Sequence, residues 1–336
     1  MISCYGCDSI KTSNINDFIE CEEFGMGTII KQRVYGKNAR TVADEVTEAL
    51  NSIEKKLSVN LEGSEIDRLN KNAGKSYVTL SEDTCFVLEK SLYYSRLSDG
   101  RFNPMVGPLV KAWGINTDKQ RVPEQTEIAD ILNLVDVIDI LLDKKSSRCM
   151  LAKEGQLLDL GGIVKGYAGD VAAEIYKRKG IESAYINLGG NVVVVGNKPD
   201  GTPWEIGIQD PRDVKGSIIG TVNITDQAVV TSGDYERFFE KDNIRYHHII
   251  DPKTGYPADS GLMSVTVIMD ASIDADALST AAFVLGLDKG MKLIEDIKGA
   301  EGIFITTDKK IYVTVGLRNI FNQNEKANGY EYVQKR

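Results

Sequence analysis

Two adjacent histidines, His247 and His248, are the only ones in the chain, and the run IIDPKTG follows them. Neighbouring side chains on a strand point to opposite faces, so at most one of the two can face a given site. Pro252 and Gly255 predict a turn just after them, which places a titratable imidazole at the end of a strand. One of the two is therefore a candidate catalytic imidazole, and an ordinary strand histidine is the alternative.

A carboxylate and a hydroxyl, those of Asp276 and Thr280, stand four residues apart on a predicted helix. This spacing puts both side chains on one face of the helix, about one turn apart. Both can supply oxygen to Mg²⁺, which prefers oxygen ligands and phosphate co-ligands. The alternative is that Asp274 or Asp276 caps the helix while Thr280 bonds to the backbone.

The segment DLGGIVKG, residues 159–166, predicts the end of a strand, a glycine turn and the start of a helix. It lacks the spacing GxxxxGK[ST], and Lys165 falls inside the predicted helix, so the segment is not a P-loop. No GxGxxG follows the first predicted strand, so a Rossmann fold is unsupported. Unsatisfied backbone N–H groups at such a helix start can hold a phosphate. A tight turn without a ligand is the alternative.

Helices and short strands must position these residues. Helices are predicted at about 41–57, at a short segment opened by Ser64, at 81–97, at 125–135, from the turn at 161–162 to Gly180, at 274–285 and at 289–298. Strands are predicted at 25–36, 137–142, 148–152, 156–159, 184–188, 192–195, 204–209, 218–224, 229–231, 245–250, 264–269, 302–306 and 311–315. Residues 98–114, rich in glycine and proline, are predicted to form a loop that lines a site. The pattern indicates an α+β chain with mostly antiparallel sheets and flanking helices.

Composition limits the classes of function. The 336 residues are 42% hydrophobic with a formal net charge of −9, which is typical of a soluble globular protein. No run rich in lysine or arginine is present, and this argues against a nucleic-acid partner. No stretch approaches the roughly 18 apolar residues of a membrane span.

Residues 1–20 are predicted to be a flexible tail and residues 21–336 the folded domain. Cys4 follows small or apolar residues and precedes a polar stretch, so it can be the remnant of a lipoprotein cleavage site. That interpretation places the protein in the cell envelope, outside the cytoplasm and anchored to the membrane. A disordered tail on a cytoplasmic protein is the alternative. Cys4 and Cys7 form a CxxC without a second pair, which does not predict a zinc site.

Six motifs, spread from about residue 24 to 317, together resemble the ApbE family of FAD:protein FMN transferases. In order they are SEIDRLN, FNPMVGPLVKAWG, DLGGIVKGYAGD, SGDYERFF, HHIIDPKTG and ADALSTAAFVLG. The resemblance implies an α+β fold with the FAD site in a cleft between the two halves. It also implies an enzyme that cleaves FAD with Mg²⁺, moves FMN to a threonine or serine of a target flavoprotein, and releases AMP. Family members are often exported and lipid-anchored, which favours the lipoprotein interpretation of Cys4.

The same resemblance implies roles for individual residues. His248 would be the catalytic histidine. The metal would be held by the carbonyl of Gly162 with Asp276 and Thr280. FAD would be contacted by Met26, Asn60, Ala112, Trp113, Gly114, Asp159 and Lys165. Asn60 is the main departure, because many relatives carry an aromatic residue there, and Val164 replaces the usual alanine.

Two other functions stay open from the sequence. One is an FAD pyrophosphatase on the same fold, with water as the acceptor. The other is a flavin-binding carrier without catalysis. The oxygen pair Asp276 and Thr280, together with His248, argues against a pure carrier, since a redox flavin site needs no metal ligands.

Overall fold

The protein is described from a computed structural model, which covers residues 18–213, 216–324 and 329–333. Cys4, Cys7 and most of the predicted tail lie outside these residues, so the lipid anchor stays a prediction. The expected start of the domain at residue 21 falls inside the first strand, which begins at Phe18. Within the described ranges, none of the helices is long and apolar enough to cross a bilayer.

The helices of the described residues mostly match the predicted ones. They are α1 (Ala39–Leu57), α2 (Glu65–Lys71), α3 (Glu82–Leu97), α4 (Gly107–Trp113), α5 (Gln125–Leu132), α6 (Val164–Arg178), α7 (Ser272–Leu285) and α8 (Leu287–Glu295). Helix α1 forms because Val42, Val46 and Leu50 recur at helical spacing and are buried on one face. Ser64 and Ser81 cap α2 and α3 by accepting backbone N–H bonds, as the sequence predicts.

One large sheet runs through the protein. Its strands, numbered along the chain and given in spatial order, are β1 (Phe18–Gly25), β2 (Thr28–Tyr35), β6 (Ala184–Leu188), β7 (Asn191–Val195), β10 (Ala228–Gly233), β13 (Leu262–Met269), β14 (Glu301–Thr306), β15 (Lys310–Val313) and β17 (Glu331–Val333). Every neighbouring pair is antiparallel except β15 and β17. The predicted α+β class with mostly antiparallel sheets is therefore confirmed.

Smaller sheets complete the described fold. They are β16 (Phe321–Gln323) with β9 (Ile218–Ile224) and β8 (Trp204–Gln209), β3 (Val78–Thr79) with β5 (Arg148–Leu151) and β4 (Ile140–Asp143), and the hairpin of β11 (Phe238–Lys241) and β12 (Ile244–His247). Both faces of β7 are covered. Val193 and Val195 pack into the helix side of the core, whereas Val192 and Val194 pack towards Trp204 on the small sheet. Burial on both faces explains the unbroken run of valines.

The predicted loop at residues 98–114 contains a helix, α4, which the sequence analysis did not anticipate. Proline lies at its first positions, where the missing N–H costs nothing. Gly114 ends the helix in the left-handed region, at φ 56°. The glycine and proline that suggested a loop therefore mark the two ends of a short helix.

Some strand predictions were also wrong. Residues 156–159 are extended but form no strand, although the Asp159 N–H donates to the carbonyl of Pro104 at 2.8 Å. The strand predicted over 245–250 ends at His247. Its antiparallel partner β11 and the strands β16 and β17 were not predicted. Their short, partly exposed sequences lack the apolar alternation that identifies a strand.

Helices α6 and α7 cross at a distance that only glycine permits. A methyl group on Gly166 would lie 2.4 Å from the carbonyl oxygen of Ser272 and 2.7 Å from Cβ of Asp276. Close by, Asp170 of α6 accepts hydrogen bonds from the first two N–H groups of α7, at 2.7 and 2.9 Å. Asp170 thus caps α7 from outside that helix and fixes how α7 sits on α6.

We expect Gly166→Ala to lower the free energy of unfolding, although alanine ordinarily stabilises a helix interior by about 1 kcal/mol over glycine. The added methyl would overlap the Ser272 carbonyl, and such overpacking costs about 1–3 kcal/mol. Urea unfolding measures the change. Glu174→Ala, at an exposed position on α6, is the control and should stay within about 0.5 kcal/mol of wild type. A Gly166→Ala protein as stable as wild type would contradict the close contact.

Candidate active site

A cleft of about 450 Å³ is lined by residues from distant parts of the sequence. Among its lining residues are seven of the predicted site residues: Trp113, Asp159, Gly162, Lys165, His248, Asp276 and Thr280. They come from α4, from the turn before α6, from the first turn of α6, from the residue after β12 and from α7. The tertiary fold therefore brings most of the predicted site together.

Asp276 and Thr280 lie on the cleft side of α7, as their spacing predicts. The Asp276 carboxylate is buried; its Oδ2 accepts the Gly166 N–H at 2.8 Å, and its Oδ1 lies 4.0 Å from Nζ of Lys165. Oγ1 of Thr280 lies beside Gly162, where an added methyl would be 3.4 Å from it. The three positions predicted to hold a metal therefore meet on one wall of the cleft.

The donor atoms on this wall suit Mg²⁺. A carboxylate, a hydroxyl and a backbone carbonyl are hard oxygen donors, and a single carboxylate leaves coordination positions for water and phosphate oxygens. No cluster of three or more histidine, cysteine, aspartate or glutamate side chains that could hold a metal occurs in the described part of the chain. Asp276 does not cap α7, and Asp274 accepts from Nζ of Lys90 at 2.7 Å. This leaves Asp276 as the carboxylate of the wall.

The turn before α6 offers fewer free backbone donors than the sequence predicted. Acceptors within the protein already take the N–H groups of Gly161, Ile163, Val164 and Gly166. The cationic group that this segment presents to the cleft is Lys165, whose Nζ donates to Oδ1 of Asn191 at 2.8 Å. Asp159 also lines the cleft. Burial raises the pKa of its carboxyl, whereas the hydrogen bond from the Gly161 N–H and the positive charge of Arg237 act to lower it.

The two histidines occupy different environments. His247 is buried, with Nε2 3.1 Å from the carbonyl of Ala258 and its ring edge-on to Phe283. His248 lines the cleft. Desolvation, with a smaller effect from the positive charge of Arg237, lowers the pKa of His248 to about 3. His248 is therefore neutral at physiological pH, the state that a proton acceptor requires.

Asn60 is not among the residues that line the cleft, and its predicted contact with FAD stays a prediction. It is exposed in the bend that follows α1. The Ser64 hydroxyl donates to the carbonyl of Ser58 at 2.6 Å, and the Asn60 N–H donates to Oγ of Ser58 at 3.3 Å. These bonds join the bend to the start of α2.

Three other predicted contacts border the cleft without lining it. Ala112 and Gly114 flank Trp113, which does line it. Met26 lies in the two-residue turn between β1 and β2 at φ 50°, and its neighbour Gly27 lines the cleft. The sequence thus located these segments, but the residues that line the cleft are the neighbours of the predicted ones.

Sequence reasoning assigned no role to several lining residues, among them Arg101, Asn103, Ser232, Glu236 and Arg237. Asn103 lies in the motif FNPMVGPLVKAWG, the last three lie in SGDYERFF, and Arg101 directly precedes the first of these motifs. Their place in or beside a motif was the available signal. Arg101 forms an ion pair of 2.6 Å with Asp251, which ties the segment after α3 to the turn after His248. The Ser232 hydroxyl lies 3.2 Å from Oγ1 of Thr280 and steadies the oxygen wall.

The fold is that of flavin transferases. The flavin transferase ApbE of Vibrio cholerae superposes with a TM-score of 0.81 at 26% identity, covering 91% of this chain and 99% of that one. The ApbE protein of Thermotoga maritima superposes with a TM-score of 0.80 at 37% identity, covering 86% and 94%.

Sequence comparison agrees with the structural one. An FAD:protein FMN transferase of Treponema pallidum (strain Nichols) is 36% identical over 312 residues, which are 88% of this chain and 86% of that protein. Another, from Klebsiella pneumoniae (strain 342), is 35% identical over 308 residues, 92% and 95% of the two chains. The ApbE family model matches residues 26–304. The chain belongs to the ApbE family, so the enzyme family predicted from the sequence motifs is confirmed.

We expect His248 to stay neutral as the pH falls from 7 to 5, because its pKa lies near 3. An unfolded chain takes up that proton near its ordinary pKa of about 6.5, so the free energy of unfolding should fall as the pH drops below this value. Nitrogen-15 NMR titration of the two imidazoles measures the protonation, with His248→Gln to assign the signals. A His248 midpoint near 6.5 would contradict the burial described for this ring.

Proposed function

We propose that this chain transfers FMN from FAD to a threonine or serine hydroxyl of an acceptor flavoprotein, with Mg²⁺, and releases AMP. The observation that carries the proposal is one cleft in which a neutral imidazole, a lysine and an oxygen wall meet, namely His248, Lys165 and the group of Gly162, Asp276 and Thr280. The names of the relatives supply the donor and the kind of acceptor.

The reaction requires few groups from the protein. The acceptor hydroxyl oxygen attacks the phosphorus on the FMN side of the pyrophosphate, and the P–O bond to AMP breaks. The hydroxyl proton passes to His248, and AMP leaves as a phosphate anion that needs no strong acid. Because the His248 ring is held neutral by burial, it can accept this proton without first losing one.

Charge must be neutralised on the pyrophosphate as the new bond forms. Mg²⁺, held by Gly162, Asp276 and Thr280, would supply most of that neutralisation when bound. The Lys165 ammonium lies 4.0 Å from Oδ1 of Asp276, so it can pair with phosphate oxygens next to the metal ligands. Helix N–H groups contribute less than the sequence suggested, because most of those near the turn already have acceptors.

A rigid aromatic wall supports the proposed FAD site. Trp113 packs against Tyr246 at 5.3 Å and against Tyr256 at 5.6 Å, and its Nε1 donates to the carbonyl of Gly255 at 2.8 Å. These contacts fix the indole before any ligand arrives, which lowers the entropic cost of binding. Asp159 and Lys165 line the same cleft and would bind polar parts of FAD.

The product distribution tests this function. The protein is incubated with FAD, Mg²⁺ and a panel of candidate acceptor flavoproteins, and intact mass spectrometry follows each acceptor. We expect AMP release together with a mass increase equal to FMN less water on one threonine or serine. Free FMN and AMP in equal amounts, with every acceptor unmodified, would instead indicate a pyrophosphatase. FAD bound without AMP release would indicate a carrier.

We expect Asp276→Asn to reduce AMP release by at least about 10²-fold, because the substitution removes a metal-ligating charge worth several kcal/mol in the transition state. The asparagine oxygen can still accept the Gly166 N–H bond, so the melting temperature should change little. Asp274→Asn is the matched control, since Asp274 lies on the same helix but binds Lys90 and does not line the cleft. Equal loss in both variants, or Mg²⁺-stimulated AMP release by Asp276→Asn at the wild-type rate, would refute the metal assignment.

A further inference from the structure

His248 makes two contacts to a single oxygen atom. Its backbone N–H donates to the carbonyl of Arg237 at 3.0 Å, and its ring Nδ1 lies 3.3 Å from the same oxygen. A carbonyl oxygen has no proton to give, so Nδ1 must be the donor in this contact. A neutral imidazole carries one proton, so Nε2 is left with the free lone pair.

The register of the hairpin explains why these two residues meet. Phe238 of β11 pairs with His247 of β12, so Arg237 and His248 are the next residues outward on the two strands. Both line the cleft. The antiparallel ladder therefore places the two residues side by side just beyond its last pair.

The side chain of Arg237 makes a second contact that anchors this residue. Its guanidinium donates to the carbonyl of Gly27 at 3.1 Å. Gly27 belongs to the tight turn between β1 and β2, where it and Met26 both have positive φ. Arg237 therefore joins this turn, which borders the cleft, to the backbone oxygen that contacts the His248 ring.

We propose that Arg237 is a positioning residue that holds His248 in the Nδ1–H tautomer and so leaves Nε2 as the nitrogen that accepts the proton. The assignment of Nε2 as proton acceptor rests on the proposed function; the tautomer itself does not. His247 provides an internal reference, because its Nε2 contacts the carbonyl of Ala258 and must be the protonated nitrogen of that ring. The two histidines of the chain thus have opposite tautomers.

Long-range proton–nitrogen NMR spectra of the ligand-free, nitrogen-15-labelled protein test the proposal, since only two imidazoles contribute. In wild type we expect Nδ1 protonated for His248 and Nε2 protonated for His247. In Arg237→Ala the His248 pattern should shift towards a mixture of tautomers while the His247 pattern stays. Arg237→Lys, which can still donate to Gly27, should restore much of the wild-type pattern. Arg245→Ala, which removes an arginine on the neighbouring strand, is the matched control and should leave His248 unchanged.

In the same variants the turnover number for FMN transfer should fall about ten- to a hundredfold in Arg237→Ala and recover in Arg237→Lys, as expected for a misplaced catalytic group. A protonated Nε2 on His248 in wild type, or a wild-type His248 spectrum in Arg237→Ala, would overturn the proposal. If the tautomers are as expected but no acceptor gains FMN, the proposed function fails and the positioning by Arg237 stands.

Discussion

The contact between α6 and α7 positions the oxygen wall and the lysine of the cleft. Gly166 lets the helices approach until its N–H reaches the Asp276 carboxylate, at 2.8 Å. A buried carboxylate is costly unless it is hydrogen-bonded and near positive charge, and the N–H and Lys165 meet both needs. The Gly166 N–H thereby holds Oδ2 of Asp276, whereas Oδ1 lies towards Lys165 and the cleft. Any loosening of this crossing would move the oxygen wall and the lysine together.

The opposite side of the cleft depends on the hairpin of β11 and β12. Its antiparallel register brings His248 close to the carbonyl of Arg237, and the contact between the tilted rings of Tyr246 and Trp113 ties the hairpin to α4. Desolvation of His248, with the nearby positive charge of Arg237, lowers the pKa of the ring. The same cationic side chains that disfavour a protonated imidazole suit a pyrophosphate, which is strongly anionic. Under the proposed function, the positive charges that would receive the pyrophosphate therefore also keep His248 unprotonated.

Local patterns in the sequence were sufficient wherever the cause of a structure is local. Helical periodicity fixed α1, and the hydroxyls of Ser64 and Ser81 were recognisable caps because capping bonds span only three residues. The spacing of Asp276 and Thr280 placed both on one face of α7 because a helix turns every 3.6 residues. Six motifs in order identified the family. The α+β class and most residues of the oxygen wall followed from the sequence by itself.

Only the tertiary structure decided which polar groups are free to bind a ligand and which are already hydrogen-bonded within the protein. The sequence predicts free N–H donors at the turn before α6. In the structure the Gly166 N–H already donates to Asp276 of α7, which lies 110 positions further along the chain. Asn60 was assigned to the FAD site as a departure from the family pattern, but in the structure it lies in an exposed bend held by serine hydrogen bonds and is not among the residues that line the cleft. The tautomer of His248 follows from a carbonyl on the neighbouring strand. Sequence by itself determined which chemical groups the protein has; long-range packing decided their partners, because hydrogen bonding and desolvation depend on neighbours in space.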